Sequence, residues 1–165
     1  ALSKPYQGTP TSPNMDLNFL VSKGSMTSAD SITIKITDTG FTSSPLTLSS
    51  QIGGTMNGSL SSVRSQAFFD SSNKLFGTGG TPSANQLFTS SGPFSGSADF
   101  GVTGGTPYSL TEIITITAGA GGGAGSGDAG IVAPAPAGLV LALTGMPFLG
   151  LGVWLRRRSI GRIIA

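Results

Sequence analysis

Two residue types are missing from the 165 residues of the chain: there is no cysteine and no histidine. Without cysteine there is no disulfide framework and no thiolate metal site, so the redox state of a compartment places no constraint on the fold. Without histidine the chain lacks the commonest general base and the commonest metal ligand. Ser-His-Asp and Cys-His arrangements and His-ligated zinc are excluded together. Charge is also sparse, at 10% of residues, and unevenly placed. Residues 1 to 131 carry five Lys/Arg against seven Asp/Glu, whereas Arg156, Arg157, Arg158 and Arg162 stand near the C-terminus with no acid nearby. The net charge of +2 thus belongs to the tail and is no nucleic-acid footprint; no nucleic-acid partner is expected. The chain opens at Ala1 without a basic n-region or an apolar h-region. It is expected to be a mature form from which any signal peptide has been removed.

What the chain has is alternation. From Asn14 to Thr117 apolar residues recur every second position: Met15, Leu17, Phe19 and Val21; Ile32, Ile34 and Ile36; Leu46 and Leu48; Phe100 and Val102; Leu110, Ile114 and Ile116. Period two with polar, β-branched residues between is the pattern of strands with one buried face. Glu112 breaks the last series. Gly-containing pairs and triplets (Asp38-Thr39-Gly40, Gly53-Gly54, Asn57-Gly58, Gly79-Gly80, Gly104-Gly105) supply turn chemistry between the runs. Six to nine short strands follow, and the fold class expected is all-β, an antiparallel β-sandwich over residues 14–117. Two similar stretches, FGTGGTP at 76–82 and FGVTGGTP at 100–107, read as paired loops or coincidence, because a solenoid needs at least about three repeats. The proline-punctuated residues 1–13 are expected to be an extended arm. Residues 118–131, AGAGGGAGSGDAGI, carry almost no side chain able to pack and read as a Gly-rich linker spanning roughly 20 Å.

The C-terminal segment differs in style. Residues 137–155 are 19 positions without a charge, which at about 1.5 Å per residue reach the roughly 30 Å hydrocarbon core of a bilayer. A single transmembrane helix is expected there. Arg156, Arg157 and Arg158 follow it and set the topology N-out, C-in, with residues 156–165 a basic cytoplasmic tail and Trp154 at the interface. Gly138, Ala142, Gly145 and Gly152 fall on one side of that helix and form a candidate packing face for a neighbouring helix. Pro147 within the span removes an amide donor and predicts a kink.

Ahead of the helix stands Val132-Ala133-Pro134-Ala135-Pro136-Ala137. Proline motif, glycine-containing apolar helix and arginine cluster, in that order, resemble the PEP-CTERM sorting signal of bacterial exported proteins, with Val132, Pro134 and Pro136 as the motif over residues 132–136. Ala135 occupies the place of the family's Glu, and Ala133 is an insertion after the valine. The Thr/Ser/Gly-rich body, with ITIKITDTGF at 32–41, is similar to such proteins in style. The resemblance implies export, residence at the envelope or surface, association with exopolysaccharide matrix, processing by an exosortase, and no shared catalytic activity.

The remaining candidates for chemistry are thin. A Ser-Lys dyad needs only residues that are present, and Glu112 on an apolar strand face is a candidate raised-pKa acid, with a sheet edge or a neighbouring Lys35 as the duller account. Asp30, Asp38, Asp70 and Asp99 are scattered and nothing matches a calcium loop. Asn57-Gly58-Ser59 fits N-glycosylation, but Asn-Gly already reads as a turn. Catalytic, cofactor and metal sites are therefore not expected. The function expected is that of a non-catalytic structural protein, an exported sandwich anchored by one C-terminal helix in the bacterial inner membrane. Its domain lies on the periplasmic or extracellular side, or on the cell surface after processing. The alternative is an accessory subunit of a larger membrane complex, photosynthetic or respiratory, with the small-residue face packed on neighbouring helices. The partners implied are the membrane, proteins contacted through the helix and the β domain, exopolysaccharide, and an exosortase.

Overall fold

The alternating runs become strands in the computed structural model, which describes residues 8–43 and 46–133. They are β1 (Gly8–Thr9), β2 (Ser12–Lys23), β3 (Asp30–Phe41), β4 (Leu46–Asp70), β5 (Gln86–Phe88), β6 (Gly92–Val102) and β7 (Tyr108–Val132), with every pairing antiparallel. In β2 the inward set is Met15, Leu17, Phe19 and Val21, as the alternation requires; in β3 Ile34 and Ile36 are half-buried, whereas Ile32 near the start of the strand is exposed. Two strands, β4 and β7, are each 25 residues long and pair with one another from Ser49↔Val132 to Asp70↔Ser109. β2 and β6 flank one half of this ladder, β3 and β5 the other.

The ladder turns a corner. Gly58 pairs with Gly123 but Leu60 pairs with Ala118, so four residues of β7 lie opposite Ser59. Gly58 and Gly121 take the left-handed backbone there, with φ of 66° and 99°, which costs glycine nothing. The corner is tied from three sides. Ser59 Oγ donates to the Gly121 carbonyl at 3.0 Å, Gly121 N–H donates to Met26 O at 2.8 Å, and Lys23 Nζ donates to Ser28 O at 2.7 Å and Gly119 O at 2.8 Å. Beyond the bend the two halves face each other, because each buried cluster draws from both. Met15, Leu48, Phe100 and Ile131 pack with Phe41, Ala67, Phe69, Tyr108 and Leu110, while Ile52, Met56 and Ala129 pack with Val63, Ile114 and Ile116. The result is sandwich-like, with a shared pair of strands running through both layers. Tyr108 caps one end of the core, edge-on to Phe69 at 5.1 Å between centroids, with its hydroxyl 2.9 Å from Ser43 Oγ.

Residues 118–131 are not a linker. They lie inside β7, residues 119–122 at the corner and residues 123–131 between β2 and β4, so the described fold runs to Ala133 rather than ending near Thr117. The reason is that neighbouring strands fill the space its glycines leave. Phe19, Gly127, Gly54 and Phe94 form one inward row across four strands; the Phe19 ring lies where a Gly127 side chain would be, and a Cβ on Gly54 would meet Phe94 Cζ at 2.9 Å. Aromatic rings folded over cross-strand glycines give the sheet its packing. The N-terminal arm is corrected in part as well. Gly8–Thr9 form β1, Ser12 and Pro13 begin β2 after a turn at Pro10 and Thr11, Pro13 is fully buried, and its carbonyl accepts from Ala133 N–H at 3.1 Å.

Three of the expected turns also sit inside strands. Gly53-Gly54 and Asn57-Gly58 are interior to β4, and Asp38-Thr39-Gly40 ends in a β3 irregularity between Thr39 and Phe41. Gly79-Gly80 and Gly104-Gly105 do lie in connections, both close to Phe69 at the end of β4, although Phe100 to Val102 of the second similar stretch belong to β6. Among the described residues no helix is long and apolar enough to cross a membrane.

Candidate functional site

Of the residues expected to carry sorting and anchoring, Val132 is described and is a strand residue, paired with Asn14 and with Ser49. Pro134, Pro136, Gly138, Ala142, Gly145, Gly152, Arg156, Arg157 and Arg158 lie outside the described residues, as does the expected span 137–155.

The outer face of the β2-β7-β4-β6 half presents a polar trough of about 610 Å³. Strand register builds it in rows: Asp16, Gly130, Gln51 and Ser97 form one, and Asp128, Gly53 and Ser95 the next. Gly130 and Gly53 form the floor because they project nothing, and the carboxyl, amide and hydroxyl groups stand on either side. Asp16 and Asp128 hydrogen-bond to each other. That bond, then burial, then the Asp128 charge hold the Asp16 carboxyl above its ordinary value, against a lowering contribution from the Leu17 N–H. Paired carboxyls serve acid proteases in a closed, shielded cleft; here Asp16 is exposed on an open sheet. The trough suits hydrogen bonding to a polar surface, and it displays no positive charge.

A second polar group lies in the core. Glu112 is fully buried on the inward face of β7 between Ile36 of β3 and Ala67 of β4. The expected explanations by a sheet edge or by Lys35 are both corrected: β7 is a central strand, and Lys35 pairs opposite Ile113, whose side chain alternates to the other face. Ser65 Oγ donates to Glu112 Oε1 at 2.9 Å. Gln86 Nε2 donates to the Ser50 carbonyl at 3.2 Å and lies 3.4 Å from Ser50 Oγ. Burial pushes the Glu112 carboxyl up from 4.5 to about 7, the Ser65 and Ser50 hydroxyls pull it back, and the Asp128 charge adds to the rise. The residue is sealed from solvent and presents no acid to a substrate. Lys23 is committed to two backbone carbonyls at the corner.

Composition and periodicity did not bring Asp16, Asp128, Gln51 and Ser95 together. Their proximity depends on pairing between strands up to about a hundred residues apart. The available signals were that Asn14, Asp16 and Asn18 alternate strictly with an apolar set, and that Asp128 is the lone acid in a glycine-rich run.

No protein family matches the sequence, and no curated protein matches it. Among solved structures the chain is similar to one of infectious bursal disease virus, Gx strain, at 13% identity and a TM-score of 0.34, over 73% of this chain and 32% of that one. It is also similar to one of Broad bean stain virus, at 11% identity and a TM-score of 0.38, over 78% and 88%. The chain thus spans about a third of the first structure's length, and at these scores the likeness carries no argument.

Proposed function

We propose that the protein is a non-catalytic structural component of a bacterial envelope, held N-out and C-in by residues 137–155 and acting through contacts of its sandwich-like domain. The observation that carries the contact role is the outer trough, where hydroxyl, amide and carboxyl groups border a glycine floor on an open sheet. Such a surface matches hydroxyl-rich matrix material, which offers donors and acceptors without charge. The tail reading rests on the Val132, Pro134, Pro136 motif and on Arg156 to Arg158, and makes the domain a sorted or anchored appendage.

The trough is tested by filling its floor. A Cβ at Gly53 meets only ordinary contacts, 3.6 Å to the Phe94 carbonyl and 3.8 Å to Ser95 Cβ, so Gly53→Arg leaves the sheet intact and places a long cation across the groove. Retention of the full-length protein on purified exopolysaccharide is expected to fall at least tenfold in the variant at unchanged thermal stability; equal retention removes the trough from the proposal. Intact mass of the native protein tests the tail separately. Loss of everything after about Pro136 supports sorting, and a full-length mass supports a lasting anchor, in which case co-purification in mild detergent reads out a fixed helix partner at the Gly138, Ala142, Gly145, Gly152 face.

A further inference from the structure

The buried polar group spans the space between the two facing halves. Ser50 belongs to the first half of β4, whereas Ser65, Gln86 and Glu112 belong to the second half of β4, to β5 and to the first part of β7. Ser50, Ser65 and Glu112 are fully buried and Gln86 nearly so, so no water shell compensates for what the group itself does not satisfy. Two atoms remain without a hydrogen-bond partner, Glu112 Oε2 and Gln86 Oε1, and both are acceptors. The group is therefore short of donors, and a proton on the Glu112 carboxyl adds one to those of the Ser65 and Ser50 hydroxyls. No positive charge is positioned to hold a carboxylate there instead. On β3 the partner of Glu112 is Ile36, with Lys35 on the opposite face; on β4 the neighbours are Ser50, Ser65 and Ala67, with exposed Arg64 turned outward to Asn85; on β5 it is Gln86. The charge that does act on Glu112 is Asp128, on its own strand, and it is negative.

We infer that Glu112 is a proton-operated latch between the two layers: neutral, it completes the hydrogen bonding that joins them, and ionised, it sets an unpaired charge between them and loosens the sandwich. The direction is opposite to that of an ordinary surface carboxylate. The unfolded chain releases the Glu112 proton near 4.5, while the folded chain keeps it until about 7. Stability from this group is therefore full below 4.5, is lost progressively as pH rises to 7, and stays lost above that. At tenfold per pH unit, the folded-to-unfolded ratio falls about 300-fold across that window.

Glu112 is the single glutamate of the sequence, which makes the test direct. In full-length protein carrying carboxyl-¹³C glutamate, the folded-state resonance is expected to titrate with a midpoint above about 6, and a midpoint near the ordinary 4.5 overturns the latch. The Glu112→Gln variant, whose amide supplies a donor at every pH, is expected to lose the roughly 300-fold stability change between pH 4 and pH 8 seen by denaturant unfolding of the parent. Any change owed to the raised Asp16 carboxyl persists in both. A variant that folds and retains the whole parental dependence also overturns the inference, and if it fails to fold the glutamate titration decides alone.

Discussion

At the scale of single residues, the glycines of β7 matter for what lies against them. Gly127 receives the Phe19 ring, so Gly127→Val forces ring and backbone apart and is expected to lower stability by about 1–3 kcal/mol in urea unfolding. Phe19→Ala in the same chain is expected to recover part of that loss, since the two sites share one space and do not add. Gly53, three positions before the bulk of Met56 and open on its outer side, has no such constraint. The sequence cannot separate these two glycines, because the side chain that distinguishes them arrives from another strand. Glu112 shows the same limit. Its intrusion into an apolar series was plain in SLTEIITIT, whereas the Ser50, Ser65 and Gln86 that surround it are ordinary polar residues until pairing brings them inward.

At the scale of elements, strand runs with side chains on both faces were legible and runs rich in glycine were not. β2 and β3 announce themselves through strict alternation, which marks the inward set of β2 in full and that of β3 at Ile34 and Ile36 but not at exposed Ile32. The second part of β7 reads as a linker because glycine carries no periodicity, and Asn57-Gly58 reads as a hairpin although it bends a strand that continues. Hydrogen exchange distinguishes the two accounts. Backbone amides from Gly123 to Ile131 point at β2 or β4 and are expected to be protected for minutes to hours at neutral pH, whereas a Gly-rich linker would exchange within seconds. The corner is a separate element. Lys23→Met keeps the aliphatic stem and removes two charge-assisted bonds to the Ser28 and Gly119 carbonyls; faster exchange confined to residues 118–123 and the β2–β3 connection is the expected sign that the lysine pins the bend.

At the scale of the whole molecule, the class of fold followed from composition and pattern, but its plan did not. Short strands at regular spacing suggest a stack of hairpins, whereas the described fold shares two long strands between its layers. That plan makes the last part of β7 indispensable. A chain ending at Thr117 deletes Ala129 and Ile131 from the core and the partner of β2, and is expected to be unfolded by circular dichroism, while a chain ending at Ala133 is expected to fold. It also ties formation of the core to pairings between residues 46–70 and 108–132, far apart in sequence, which is the arrangement of slow-folding β proteins. The same plan bears on how the domain carries tension. β7 ends at Val132, flanked on both sides by antiparallel neighbours. A pull on that end runs along the strand axis, so the bonds to residues 14–23 and 49–58 are sheared together instead of being unzipped one after another. A domain tethered through that end would resist extraction by flow or drag with two ladders at once.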